Sequence, residues 1–176
     1  MNPRRVLIIG AGSSQTLRVA TPLSNLPAQI TTLDIEPSHG TDVVWDLNEL
    51  PWPFDDNSFS ELHAYEVLEH LGAQGDAKSF FAHFGEIYRI LEPNGYLCGS
   101  CPRYDSLWAW SDPSHRRVIS EGSFTFLDQT QYALQVGKTS MTDFRSIWKG
   151  DFETESLEKT SDQLYFLLKT HKPARA

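Results

Sequence analysis

The chain has 176 residues, 22% of them charged, with a formal net charge of −8 at pH 7 and a pI near 5.1. This length predicts a single domain over residues 1–176. An acidic surface repels phosphate backbones, so nucleic acid is disfavoured as a partner. No apolar run is long enough to span a bilayer, so we expect no membrane partner. Because the chain has only two cysteines, we expect a cytoplasmic location.

The first predicted element is a buried strand, RVLIIG, which runs into a turn formed by Gly10, Ala11, Gly12 and Ser13. Such a turn after a parallel strand offers backbone N–H groups to a ligand. The two glycines match the start of a G-x-G-x-x-G pattern, but Gln15 occupies the third position. The turn therefore predicts a cofactor site without selecting the cofactor.

A second strand, AQITTLDIEP, is predicted after a short helix within residues 13–26 that Pro22 keeps from extending. Asp34 ends this strand and is followed by Ile35. Asp34 lies 22 residues after Gly12, at the distance where an acid of a nucleotide-binding site would bind the ribose hydroxyls. We place Asp34 and Ile35 in the cofactor site.

The third predicted strand, TDVVWDLN, brings Asp46 and Leu47 to its end. A carboxylate here either accepts a hydrogen bond from the exocyclic amine of adenine or forms an Asx-turn. The fourth strand, FSELHAYEVL, is followed by a helix over about residues 76–91, where apolar residues recur every three or four positions.

The fifth predicted strand, YLCGSCP, holds both cysteines of the chain, Cys98 and Cys101. A C-x-x-C pattern indicates a redox pair or half of a zinc site, but there is no second pair. We interpret the two cysteines as buried free thiols.

After a loop, DPSHRRVIS, we predict a helix over EGSFTFLDQTQYALQ and two final strands, FRSIWKGDFETESLEK and QLYFLLKTHK. The connection between these strands is too short for a helical crossover, so they should pair antiparallel. The prediction is an α/β fold with five parallel strands and an antiparallel closing pair, a mostly parallel seven-stranded sheet whose last strand is antiparallel.

Two stretches, LNELPWPFDDNSFSELHAYEVLEHL and EIYRILEPNGYL, resemble class I S-adenosylmethionine-dependent methyltransferases of the small-molecule type. The resemblance runs from about Val6 to Pro102. It implies a three-layer Rossmann-like fold and S-adenosylmethionine as cofactor, with Gly10 and Gly12 under the methionine and Asp34 on the ribose. It also implies that Asp46 and Leu47 flank the adenine, and that Tyr65 and Glu66 lie beside the methyl-bearing sulfur.

The sequence departs from that family at two positions. Ile8 stands where the family usually has an acid, and Ser14 where it has a glycine. Two alternatives therefore stay open beside a methyltransferase: an NAD-dependent oxidoreductase, and a non-catalytic cofactor-binding module.

Glu66, Glu69 and His70 are spaced to share one face of a helix, and such donors bind Mg²⁺, Mn²⁺ or Zn²⁺. Some relatives, among them quinone-pathway O-methyltransferases, resemble this with an E-x-x-E-H metal site, to which His115 would add a ligand. The alternative is that these residues cap and pack a short helix. His70 and His115 are also our candidates for a catalytic base.

The loop after the fifth strand, residues 104–117, contains Trp108 and Trp110, whose rings either stack on a planar acceptor or cover the sheet edge. We expect a small-molecule acceptor. Because the first strand begins so near the N-terminus, we expect an open pocket, closed by this loop, by a second subunit in a homodimer or by a partner protein.

Overall fold

The computed structural model describes residues 3–175, which form seven strands and four α-helices. The strands are β1 (Arg4–Ile9), β2 (Ala28–Asp34), β3 (Val43–Val44), β4 (Phe59–Tyr65), β5 (Leu91–Pro102), β6 (Phe152–Lys159) and β7 (Gln163–Thr170). The helices are α1 (Ala77–Ile90), α2 (Leu107–Ser111), α3 (Glu121–Thr125) and α4 (Gln129–Gln135). None of these helices is long and apolar enough to cross a membrane.

The strands form one sheet in the order β3-β2-β1-β4-β5-β7-β6. The pairs from β3 to β5 are all parallel, whereas β7 is antiparallel to both β5 and β6. Strand β6 therefore runs with the first five, and β7 alone is reversed. The prediction of a mostly parallel seven-stranded sheet with an antiparallel last strand is confirmed.

One face of the sheet, called face one here, carries the main apolar core. The longest helix, α1, packs on this face. Leu62 and Ala64 of β4 lie in this core with Phe84 and Ile87 of α1. Asp76 caps α1 by accepting a hydrogen bond from the Ser79 N–H (3.0 Å). Helix α1 thus agrees closely with the helix predicted over about residues 76–91.

The opposite face, face two, is covered by residues 11–27, called the 11–27 segment here. The short helix predicted within residues 13–26 is wrong, because this segment contains only turns and irregular backbone. Instead of an apolar helical stripe, single residues make the contacts. Leu17 packs against the cluster that contains Val6 and Ile8, and Leu23 against the cluster that contains Cys98. β-Branched residues and Pro22 also disfavour helix in this stretch.

Other boundaries also differ from the sequence prediction. The fifth strand begins at Leu91 instead of Tyr96. The helix expected over residues 121–135 is two short helices, because Asp128 starts a new one by accepting from the Thr130 N–H (2.8 Å). The sixth strand begins at Phe152 instead of Phe144, and the third strand has only two residues.

The two cysteines are free and buried, as predicted. A spacing of three residues in a strand places side chains on opposite faces. Accordingly, Cys101 lies in the core of face one and Cys98 in the cluster of face two. They can form neither a disulfide with each other nor half of one zinc site.

Candidate functional site

The glycine turn lies at the carboxyl end of β1, in the middle of the sheet. Gly10 and Gly12 have φ angles of 58° and 54°, in the left-handed region that glycine tolerates best. A Cβ atom at Gly10 would come within 2.6 Å of a Val67 methyl carbon. Ala11 is buried, whereas Ser13 is exposed. The backbone of the turn is thus open to a ligand and tightly packed against the end of β4.

Asp34 ends the neighbouring strand β2 and is 8% exposed. Its carboxylate accepts hydrogen bonds from the N–H groups of Gly12 (2.8 Å) and Glu36 (2.9 Å). His39 Nδ1 lies 3.2 Å from the same carboxylate. Burial alone would raise the pKa of Asp34, but these N–H donors and His39 outweigh it and lower the pKa. An ionised carboxylate therefore joins the ends of β1 and β2.

Ile35 is 63% exposed directly after Asp34. A large apolar side chain left in water next to a glycine turn suits a site that an aromatic base covers. The structure thus brings the turn, Asp34 and Ile35 to one edge of the sheet.

Asp46 and Leu47 follow the two-residue strand β3. Asp46 Oδ1 accepts from the Asn48 N–H (2.9 Å), so this stretch is an Asx-turn, one of the two alternatives for it. Leu47 is buried and accepts, at its carbonyl, a hydrogen bond from Trp52 Nε1 (3.0 Å). The turn fixes the position of Asp46 at the same sheet edge as Asp34.

Glu66 follows the last residue of β4 with a φ angle of 54°, a strained backbone for a residue other than glycine. Ser100 on β5 holds it there, because the Ser100 hydroxyl donates to Glu66 Oε1 (2.7 Å) and its carbonyl accepts the Glu66 N–H (2.8 Å). Strain of this kind is common at ligand sites.

Tyr65 directs its hydroxyl away from the sheet edge, towards the 11–27 segment. That hydroxyl accepts from the N–H groups of Arg18 (2.7 Å) and Val19 (3.2 Å), so its own proton faces His63 Nδ1 at 2.7 Å. His63 Nε2 then donates to Glu61 Oε2 at 3.0 Å. Tyr65 therefore fixes the backbone that follows the glycine turn.

Glu61 and His63 are functional candidates that sequence reasoning missed. Both are completely buried, and Glu61 also accepts from Thr21 and pairs with Arg4 at 2.7 Å. With Tyr65 they form the β4 polar row, defined here as Glu61, His63 and Tyr65 on face two. The signal was present in FSELHAYEVL, where polar residues alternate with apolar ones in a strand with both faces covered.

Glu69, His70 and His115 form a second cluster beside the first. One donor atom from each lies within 4.8 Å of the other two, and the two imidazole rings meet edge to face with centroids 4.9 Å apart. Both carboxylate oxygens of Glu69 and Nδ1 of His115 are buried without a hydrogen-bond partner. Burial, with the charges of Glu66 and Asp112, raises the pKa of Glu69 to about 8.

This donor set suits a divalent cation, since a carboxylate and two imidazoles are common ligands of Zn²⁺ and Mn²⁺. Of the residues considered from sequence, Glu66 stays outside the set, and its Oε1 instead accepts a hydrogen bond from Ser100. His70 Nδ1 donates to the Ser114 carbonyl (3.2 Å), which leaves Nε2 free to bind a metal or a proton. The set therefore fits either a cation or a proton acceptor.

The segment between β5 and α3, which includes α2, carries the two most exposed large hydrophobic side chains of the described residues, Leu107 and Trp110. Leu107, Trp108 and Trp110 are 73%, 60% and 70% exposed. Trp110 Nε1 donates to the Tyr104 carbonyl (2.7 Å), which orders the loop although its rings face water. An apolar surface at this end of the sheet lies where a substrate or a covering chain would contact the protein.

Arg117 is a further residue that sequence reasoning missed. It is 8% exposed, and its backbone N–H donates to the Glu69 carbonyl (3.1 Å). Its neighbour Arg116 is exposed. Alternation along an extended loop explains why one arginine of the pair is buried.

A family model described as a methyltransferase domain matches residues 7–99, more than half of the chain. The search of curated proteins found no match to this chain. Among solved structures, an S-adenosylmethionine-dependent methyltransferase from Archaeoglobus fulgidus is similar at 15% identity and a TM-score of 0.59, over 95% of this chain and 86% of that one.

Two further structures are similar at the level of the fold. One holds the Haloferax volcanii Trm112 methyltransferase activator in complex with a methyltransferase, at 17% identity and a TM-score of 0.58, over 96% of this chain and 83% of that one. The other is the [4+2]-cyclase SpnF, at 16% identity and a TM-score of 0.57, over 96% and 75%.

Likeness at such identities shows the fold, and a cyclase among the neighbours illustrates that one fold serves different reactions. The family match is more specific, since it spans the glycine turn, Asp34, the Asx-turn and the end of β4. It decides between the cofactors left open by the sequence in favour of S-adenosylmethionine. The chain belongs to this methyltransferase family and is an S-adenosylmethionine-dependent methyltransferase.

Proposed function

We propose that this methyltransferase acts on a small-molecule acceptor that reaches the carboxyl edge of the sheet beneath the loop after β5. One observation carries the proposal. Strands β1 to β4, which are neighbours in the sheet, each have a candidate cofactor residue at their carboxyl end or within two residues of it, namely Gly10, Asp34, Asp46 and Glu66. Open α/β sheets bind their ligands along this edge.

The cofactor roles follow from the chemistry available at each strand end. The glycine turn lets the methionine part approach its backbone closely, and the carboxylate of Glu66 suits the methionine ammonium group. Asp34 offers an ionised carboxylate to the ribose hydroxyls, and Ile35 an apolar surface to the adenine. Asp46 keeps one carboxylate oxygen outside its Asx-turn for the adenine amine.

Methyl transfer is a displacement at a sulfonium, so holding the acceptor in line supplies most of the catalysis. A base is required only when the acceptor atom carries a proton. His70 and His115 are proposed for that role, since His70 has a free Nε2 and contacts the loop after β5, in which His115 lies. Trp108 and Trp110 offer exposed rings for a planar acceptor.

The test is isothermal titration with S-adenosylhomocysteine, with NAD⁺ as the control ligand. We expect micromolar binding of S-adenosylhomocysteine and none of NAD⁺. Because Asp34 also holds the glycine turn, D34N is measured beside D34A, since asparagine keeps one acceptor oxygen. Both should lose affinity at least tenfold, whereas E36Q, a change in the exposed acid next to Ile35, should keep it. Equal affinity in D34N and E36Q would remove Asp34 from the site.

A second measurement addresses the acceptor. Release of S-adenosylhomocysteine from S-adenosylmethionine is followed across a panel of small phenols, amines and acids. With an active acceptor, H115Q and H70Q should lower turnover and leave S-adenosylhomocysteine affinity unchanged, because neither residue lies at the glycine turn. A variant that loses cofactor affinity as well would place its histidine in the cofactor site instead.

A further inference from the structure

A groove of about 500 Å³ lies on face one, between the amino-terminal end of α1 and helix α3. Its volume falls within the range typical of small-molecule sites, roughly 300–1,000 Å³. Four phenylalanine rings form part of its wall, those of Phe80, Phe81, Phe126 and Phe144. None of the cofactor residues proposed above lines it.

The wall also includes a buried cation, Arg117, which is only 8% exposed. Its guanidinium makes one hydrogen bond in the described chain, from Nη2 to the Ala73 carbonyl (3.1 Å). Its Nε is buried without a partner. A guanidinium has five N–H donors, so most of its hydrogen-bonding capacity is unused.

Arg117 also has no carboxylate within ion-pair distance among residues 3–175, in contrast to Arg4, Arg89 and Arg175. The face of Phe80, 5.3 Å from the guanidinium carbon, offers a weak cation–π contact. A buried charge without a counter-ion is costly, which is why buried arginines are usually paired. Within residues 3–175, no carboxylate forms an ion pair with the guanidinium of Arg117, so its charge is available to a ligand.

The backbone is shaped to admit the side chain. Gly72 has a φ angle of 66°, and a Cβ there would lie 2.4 Å from Arg117 Nη2. The Gly72 N–H donates to Asn48 Oδ1 (3.0 Å), which fixes this close approach. The position of the guanidinium is therefore built in by the neighbouring loop.

One acid, Asp76, also lines the groove. Its Oδ1 caps α1 through the Ser79 N–H, and it is not within ion-pair distance of Arg117. The remaining polar groups, from Gln74, Ser120 and Ser123, are neutral donors and acceptors. A ligand here therefore meets aromatic walls, one uncompensated cation and a few groups for orientation.

We propose that this groove binds a small organic acid, with its aromatic or aliphatic body between the phenylalanine rings and its carboxylate against the guanidinium of Arg117. A carboxylate matches a guanidinium fork and supplies the missing counter-charge. The proposal does not depend on methyl transfer. The acid is either the acceptor of the reaction or an effector bound beside it.

The test is isothermal titration with benzoate, 3-phenylpropionate, indole-3-acetate and octanoate, each compared with its neutral amide. We expect at least one acid to bind below 1 mM and its amide at least tenfold more weakly. R117Q should abolish this preference for the acid. R116Q, which removes the exposed neighbouring charge, should retain it. Absence of binding by all four acids, equal binding of acid and amide, or equal effects of R117Q and R116Q would overturn the proposal.

Two further variants separate a lost site from a lost fold. R117K keeps the charge and should retain part of the preference, whereas D76N, which keeps a capping residue, should tighten the acid by removing a like charge. S-adenosylhomocysteine affinity should be unchanged in all of these variants, which shows that the fold is intact even where the acid no longer binds. Incubation of the bound acid with S-adenosylmethionine then identifies its source: release of S-adenosylhomocysteine marks an acceptor, and its absence an effector.

Discussion

Glu69 shows how strongly one side chain can depend on its surroundings. Its carboxyl is 2% exposed, neither oxygen has a partner, and Glu66 and Asp112 add negative charge nearby. With a pKa near 8, the carboxyl holds a proton at neutral pH unless a cation binds there. His115 Nε2 lies 4.0 Å from Glu69 Oε1, close enough to share that proton or to bind the same cation.

This pKa predicts a pH-dependent stability. Between about pH 4.5 and pH 8 the unfolded chain releases the proton of Glu69 while the folded protein keeps it, so stability falls as pH rises through this range. In EDTA, E69Q should lose that slope and melt above the wild type at pH 8. E92Q, which alters a surface ion pair, should melt as the wild type does. Thermal unfolding at pH 5, 6, 7 and 8 gives the measurement.

Cation binding would appear in the same experiment as the opposite trend. Mn²⁺ or Zn²⁺ would stabilise the wild type most at pH 8, where Glu69 can ionise, and would leave E69Q unchanged. If wild type and E69Q instead share one pH dependence in EDTA and one response to metal, neither the proton nor a cation resides on Glu69.

The sequence predicted Asp34 because its position at the end of an apolar strand is a local pattern. It could not predict that Asp34 bonds the Gly12 and Glu36 N–H groups, since those bonds depend on how β1 and β2 align. The sequence did not predict the burial of Arg117 for a related reason. Its burial is decided by Gly72 and Phe80, which are distant in sequence.

Strand β4 is the element on which the candidate site depends most. Its face-two side chains form the β4 polar row, and the 11–27 segment is bonded to both ends of that row, through Thr21 at Glu61 and through two backbone N–H groups at Tyr65. Most segments covering a sheet are held by apolar stripes. Here discrete hydrogen bonds take that part, and the segment begins at the glycine turn.

Removing one of these bonds should loosen the segment and weaken cofactor binding together. T21V keeps the side-chain shape but deprives buried Glu61 of a donor, at a cost of about 1–3 kcal/mol. We expect faster amide exchange over residues 14–24 and S-adenosylhomocysteine affinity reduced severalfold. T16V alters an exposed threonine of the same segment and serves as the control. A T21V protein with unchanged exchange and affinity would show that the row does not hold the segment.

At this scale the sequence predicted the number and order of the strands and the position of α1, because apolar runs and a helical period are local signals. It misplaced the starts of β5 and β6. It failed on the 11–27 segment because Leu17, Val19 and Leu23 contact two separate clusters of face two, which no local pattern shows. The polar partners of the segment lie 40 to 47 residues away, so no local pattern contains them.

At the scale of the whole molecule, Arg175 near the end of the chain ties together elements that are distant in sequence. Arg175 bonds Asp151 (2.8 Å), which is fully buried before β6, and Asp128 (2.9 Å), which caps α4. Burial would raise the pKa of Asp151, but Arg175 and the N–H groups of Gln129 and Arg175 outweigh it and lower the pKa. One side chain thus joins the end of the chain to α4 and β6.

R175Q should therefore destabilise the entire domain, since it leaves the buried Asp151 carboxylate without its cation. Breaking a buried pair in this way costs about 3–5 kcal/mol, and the 29% exposure of the Arg175 side chain places the expected loss near the lower end. For a chain of this length each kcal/mol lowers the melting temperature by roughly 2–4 °C. R145Q is the matched control, because Arg145 pairs with Asp143 at the surface, where such pairs contribute about 0–1 kcal/mol.

The pH dependence of that loss distinguishes a charge effect from a packing effect. Because the folded pKa of Asp151 is lowered, its contribution is present above the ordinary value of 3.8 and disappears as pH falls through the folded pKa. The difference in melting temperature between wild type and R175Q should thus be full at pH 7 and shrink below about pH 4. A difference that stays constant down to pH 3 would mean that Arg175 stabilises the domain through its packed side chain, and that the closure of the fold does not rest on the ion pair.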